Sequence, residues 1–184
     1  MTLCLSGFRL DPSRGISLTP TDSVPMKPSS SLTGNAPLYT AEQRQRRNNS
    51  RWTLVQGILA PLQFLVFIIS SALLVRYLMS GEGFEIAAAS VVIKTLFLYA
   101  IMYTGALWEH DVYGQYLFAP AFFWEDMVSM LVIALHTIYL GLYLSGLGST
   151  SLLVYIAIAA YVTYVVNAAQ FLYKLRQARL SEVH

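Results

Sequence analysis

The chain has 184 residues, 55% of them hydrophobic and only 12% charged, with a formal net charge of +2 and a mean hydropathy of +0.52. Soluble domains carry about 25% charged residues, so this is not an ordinary soluble domain. The small charge, with no basic patch interleaved with aromatics, argues against nucleic acid; the single cysteine, Cys4, rules out an internal disulfide, and no Cys/His group has zinc-like spacing.

Residues 1–40, with the stretch TPTDSVPMKPSSSLTGNAP, are rich in Ser, Thr, Pro and Gly and lack apolar periodicity. They are expected to be a disordered tail. The opening apolar stretch is broken by Arg9, Asp11 and Pro12, so no signal-peptide core is expected. Residues 41–52 carry Arg44, Arg46, Arg47 and Arg51. They read either as a juxtamembrane helix on anionic headgroups or as charge that only sets topology.

Four segments then follow, near 53–78, 85–108, 123–145 and 151–173. Each is long enough to cross about 30 Å of hydrocarbon at 1.5 Å per residue. The expected fold class is all-α, an integral membrane four-helix bundle over 53–174 with a C-terminal tail at 175–184. Pro61 predicts a kink in the first span. SGEGFE and SGLGSTS are short turns, whereas 109–122, EHDVYGQYLFAPAF, reads as an interfacial or partly re-entrant aromatic connector. No inverted repeat of the transporter kind is visible. Arginines before the first span, and Lys174, Arg176 and Arg179 after the last, place both termini in the cytoplasm, with Arg76 snorkelling at the far end. Trp52, Trp108 and Trp124 mark that cytoplasmic edge, where indoles favour the interface.

Close to the same edge the chain gathers Gln56, Glu109, His110, Asp111, Gln115, Glu125, Asp126, Asn167 and Gln170 from separate segments. At 100° per residue Glu125, Ser129, Val132, His136, Tyr139 and Tyr143 form one stripe, and Asp126 is turned about 100° from Glu125. His136 and Lys94 share a depth beyond the midplane. An ionisable group there costs at least about 2.5 kcal/mol, so both should face the bundle and have partners. Gln56 and Gln63 share a face of the first span, as do Asn167 and Gln170 on the fourth. Plainer readings stand beside these. The acids at 125 and 126 suit a helix N-terminal turn, and the amides suit interhelical hydrogen bonds. The aromatic run with Phe118, Phe122 and Trp124 suits interfacial anchoring as well as a flat apolar ligand.

The stretches RWTLVQGILAPLQFLVF, GQYLFAPAFFWEDMVSMLVIALHTIYL and YVVNAAQFLYKLRQARL resemble the vinyl bacteriochlorophyllide hydratase family of bacteriochlorophyll biosynthesis. The resemblance covers residues 38–180, and the block from Gly114 to Asp126 is its most specific part. It implies an integral membrane enzyme of a photosynthetic bacterium, in the inner or intracytoplasmic membrane. That enzyme adds water across the C3 vinyl group of a chlorophyllide-type tetrapyrrole to give a 1-hydroxyethyl group. No cofactor of its own is implied, because the magnesium belongs to the substrate.

Such a hydration needs a proton on the terminal vinyl carbon, a cation delocalised into the ring, and a positioned water. Burial disfavours the anion of a carboxylic acid, so a half-buried acid can serve as donor. Glu125 is the first choice, with Asp126 and Glu109 next, as donor, as base for the water or as stabilisers of the cation. His136 is an axial magnesium ligand or a proton relay. Lys94, or Arg51 or Arg176, holds the substrate's propionate. Gln56, Gln63, Gln115, Phe118, Phe122, Trp124, Asn167 and Gln170 line the pocket. Against this stand a non-catalytic pigment-binding or assembly subunit and a small transporter. A homo-oligomer and association with other pigment-biosynthesis enzymes are both left open.

Overall fold

The structure, a computed structural model, describes residues 38–182, so nearly all of the tail expected over 1–40 lies outside the described residues. Five helices run through that stretch: α1 (Ala41–Asn49), α2 (Arg51–Ser80), α3 (Phe84–Tyr113), α4 (Phe123–Ser145) and α5 (Thr150–Glu182). The last four are long and apolar enough to cross a membrane, as the sequence predicts.

Local chemistry fixes the ends. Thr40 and Gln43 form a reciprocal capping box that starts α1. Ser50 closes α1, leaves the helical region, and caps α2 by accepting from the Trp52 amide at 3.2 Å. The basic stretch thus divides, with Arg44, Arg46 and Arg47 on a separate short helix and Arg51 opening α2. α2 runs through Pro61 without a break. α3 continues five residues beyond Trp108, through the polar run expected to open the connector. It stops at Gly114, whose φ of 81° lets its amide turn back to the His110 carbonyl at 2.9 Å. α5 likewise continues well past 173.

α2 packs along α3, and α4 along α5. The two hairpins meet where α3 faces α4, and α2 meets α5 through side chains, Phe67 and Ser70 reaching Tyr161. The core runs between them, with Leu74, Val91, Tyr139, Leu153, Ala157 and Tyr161 in one cluster and Leu98, Val132 and Tyr164 in another. The buried residues of α4 are Glu125, Asp126, Ser129, Val132, His136 and Tyr139. That is the predicted stripe with Asp126 added and without Tyr143, which is only half-buried. Most other faces of these helices are apolar and exposed, as lipid-facing surfaces are.

Candidate functional site

Two groups of buried polar side chains lie at different heights in the bundle. The first sits where α3 ends and α4 begins. Extension of α3 beyond Trp108 turns Glu109 inward, and the first turn of α4 carries Glu125 and Asp126. All three are nearly buried, at 5%, 7% and 4% exposure. The adjacent acids face different neighbours. Asp126 turns to α3, where its carboxyl group neighbours the Glu109 carboxyl. Glu125 turns to α5, where it accepts from the Lys174 ammonium at 2.7 Å. Lys174 also donates to the Ala121 carbonyl and lies over the Phe122 ring, 5.0 Å from its centroid.

These acids also hold the connector. The Phe118 amide donates to Asp126 Oδ2 at 2.7 Å, and the Ala119 amide donates to Glu109 Oε2 at 3.2 Å. Phe118 has φ of 60°, a left-handed conformation that costs a non-glycine residue about 1–3 kcal/mol unless its surroundings hold it. The charge-accepting hydrogen bond from its own amide does so. Below the connector, Phe122 is 3% exposed and packs against Trp108, Tyr113 and Phe171. One turn deeper, Ser129 and Asn167 exchange hydrogen bonds between α4 and α5 at 3.0–3.2 Å.

The second group is deeper. His136 is ten residues beyond Asp126 on α4, about 15 Å by helix rise. Lys94 and His136 are fully buried, and Gln63 is 2% exposed. The Lys94 ammonium lies 3.7 Å from the Tyr164 ring centroid, with the Tyr161 and Phe67 rings at 5.7 and 5.6 Å. It has no hydrogen-bond partner among the described residues. His136 Nδ1 lies 2.8 Å from the Val132 carbonyl, which can only accept, so in the neutral ring Nδ1 carries the proton and Nε2 offers a lone pair. Among the described residues that Nε2 has no partner, and neither has either end of the Gln63 amide. Beside them the Tyr161 hydroxyl, Ser70 and Ser90 form a hydrogen-bonded chain.

The structure therefore brings Glu109, Glu125, Asp126 and Phe122 together at one height, and sets Lys94 and His136 at another. Other expected site residues lie elsewhere or do other work. Gln56 bonds Thr104 and the Ile101 carbonyl of α3. Gln115 is exposed and bonds its own loop at Leu117. Trp124 is 71% exposed and faces outward. Phe118 stands at the rim with Phe123. Gln170 keeps an unpartnered Oε1. Arg51 and Arg176 are exposed. Lys174 belongs in the site although its sequence position read as flanking charge. Its spacing of four residues from Gln170 and seven from Asn167 puts it on their face of α5, and that was the available signal. Among the described residues no cluster of three metal-ligating side chains occurs.

Two hollows lie away from the acids. One of about 430 Å³ lies between α1 and the end of α3, lined by Glu42, Arg46, Ser50 and Asp111 among others. The other, of about 380 Å³, is an apolar groove between α2 and α5.

Comparison with known proteins gives a consistent result. The family described as 2-vinyl bacteriochlorophyllide hydratase matches residues 39–177. A 2-vinyl bacteriochlorophyllide hydratase of Cereibacter sphaeroides is 61% identical over 155 residues, covering 84% of this chain and 96% of the relative. One of Rhodobacter capsulatus is 62% identical over 143 residues, covering 78% and 83%. No solved structure matches the chain.

Proposed function

The chain belongs to the 2-vinyl bacteriochlorophyllide hydratase family, and from that premise we propose how its residues hydrate a vinyl group. It is a multi-pass membrane hydro-lyase of bacteriochlorophyll biosynthesis. Water adds across the vinyl double bond of a bacteriochlorophyllide: the proton goes to the terminal carbon and the hydroxyl to the inner carbon. That order follows from charge, because only a cation on the inner carbon is conjugated with the macrocycle.

The observation that carries the assignment of roles is the meeting of two buried carboxyl groups from different helices. When Glu109 and Asp126 share a hydrogen bond, one must donate and the other accept, so the pair holds a transferable proton. We assign that proton to the terminal vinyl carbon. Once it has left, the paired carboxylate faces the cation and accepts the proton that the attacking water gives up, which restores the pair. Glu125 is less suited to be the donor, because it is committed as acceptor to Lys174. Its work is to hold Lys174, and through it the Ala121 carbonyl, so that the connector closes over the site. Phe122 supplies an apolar wall. Deeper in the bundle, the unpartnered His136 Nε2 is the protein atom suited to the magnesium that the substrate carries.

Charge flanking the spans supports placing both termini, and with them the carboxyl pair, on the cytoplasmic side of the bacterial inner or intracytoplasmic membrane. The exposed apolar faces leave room for lipid, a second copy or a neighbouring pathway enzyme.

The test uses Glu109→Gln and Asp126→Asn in membranes supplied with vinyl bacteriochlorophyllide, with the hydroxyethyl product followed by chromatography. Each amide keeps an acceptor for the connector's backbone, so the fold is preserved while the shared proton is lost. Each variant should lose about 10²–10⁴ in rate. Near-normal turnover in both would remove the pair from the chemistry.

A further inference from the structure

Between α2 and α5 an apolar groove of about 380 Å³ opens on the outside of the bundle. Leu74, Val162 and Val165 line its sides, and Phe67 and Tyr161 also line it. These two rings meet edge to face at 5.4 Å. They are also two of the three aromatics around the Lys94 ammonium. Behind an apolar, aromatic-lined slot there is thus a fully buried cation with no hydrogen-bond partner among the described residues. A cation so placed costs several kcal/mol if nothing answers it, and an anionic group is what answers it best.

We propose that the α2–α5 groove is the lateral port by which the pigment leaves the bilayer, and that Lys94, behind its aromatic floor, takes the pigment's carboxylate. The inference rests on the hydratase reading and deepens it. It commits to one occupant, a planar apolar ring bearing a carboxylate. The ring matches the apolar walls and stacks on Phe67 and Tyr161. The carboxylate complements the ammonium. Arg51 and Arg176, exposed beyond the ends of the bundle, do not offer this pairing with an apolar slot.

The experiment compares the vinyl pigment as free acid and as methyl ester, binding each to purified protein in detergent and reading the change in pigment absorbance. The wild-type protein should favour the free acid by about tenfold or more, a tenfold preference being about 1.4 kcal/mol. In Lys94→Met the preference should vanish while the ester binds as before. A preference that survives in Lys94→Met overturns the inference. Val165→Trp, at a position half exposed on the lipid side, fills the groove and should weaken acid and ester alike. Unchanged affinity there overturns the port. Excess oleate should not displace the ring, and displacement would assign the groove to an acyl chain instead. Hydration by wild-type membranes is measured alongside. Its absence strikes at the proposed function, whereas normal hydration with an unaltered acid-to-ester ratio in Lys94→Met strikes only at this inference.

Discussion

The carboxyl group at the junction of α3 and α4 and the Lys94–His136–Gln63 group deeper in the bundle are equally buried but differently satisfied. Every acid of the first group has a partner: the Phe118 and Ala119 amides, the neighbouring carboxyl, or Lys174. The second group leaves an ammonium, an imidazole nitrogen and a whole amide unanswered. Buried polar atoms are nearly always paired in folded proteins, so the contrast separates side chains that hold the fold from side chains that await something. The first group does both kinds of work, since the bonds that fix the connector also bring two carboxyl groups together.

That contrast can be broken by thermal unfolding in detergent without pigment. Asp126→Leu is expected to have the largest effect. It strips the Phe118 amide and the Glu109 carboxyl of a partner, costing about 1–3 kcal/mol for each group stranded. An unchanged midpoint would mean that the acids do not hold the connector. Lys94→Met should act in the opposite sense, raising the midpoint of the empty protein, because an unanswered buried charge is replaced by an apolar chain of similar length. A fall would show that the ring contacts of Lys94 outweigh its lack of a hydrogen-bond partner. Glu125→Gln sharpens the division of labour within the first group. It retains an acceptor for Lys174, so hydration should fall by less than about tenfold, and a loss as deep as that of Asp126→Asn would return the donor role to Glu125. Ser129→Ala should be the mildest, about 1 kcal/mol for the exchange with Asn167, with hydration retained.

The sequence carried the four spans because runs of apolar residues that long have few alternatives, and it carried the buried stripe of α4 because helical period is a local property. The end of α3 was misplaced because Glu109, His110 and Asp111 resemble a solvated loop, and only the left-handed stop at Gly114 marks the real boundary. Lys174 was read as flanking charge because its partners are 49 and 53 residues away along the chain. The pairing of Glu109 with Asp126 was beyond periodicity for the same reason. Which helix lies beside which is decided by packing.

The arrangement as two helical hairpins bears on how the protein matures. Each hairpin can be laid into the bilayer as a unit, and association of the two comes afterwards. Glu109 arrives with the first and Asp126 with the second, so under the proposed assignment neither half is competent by itself. Acquisition of activity therefore times the embrace of the halves rather than the crossing of the membrane.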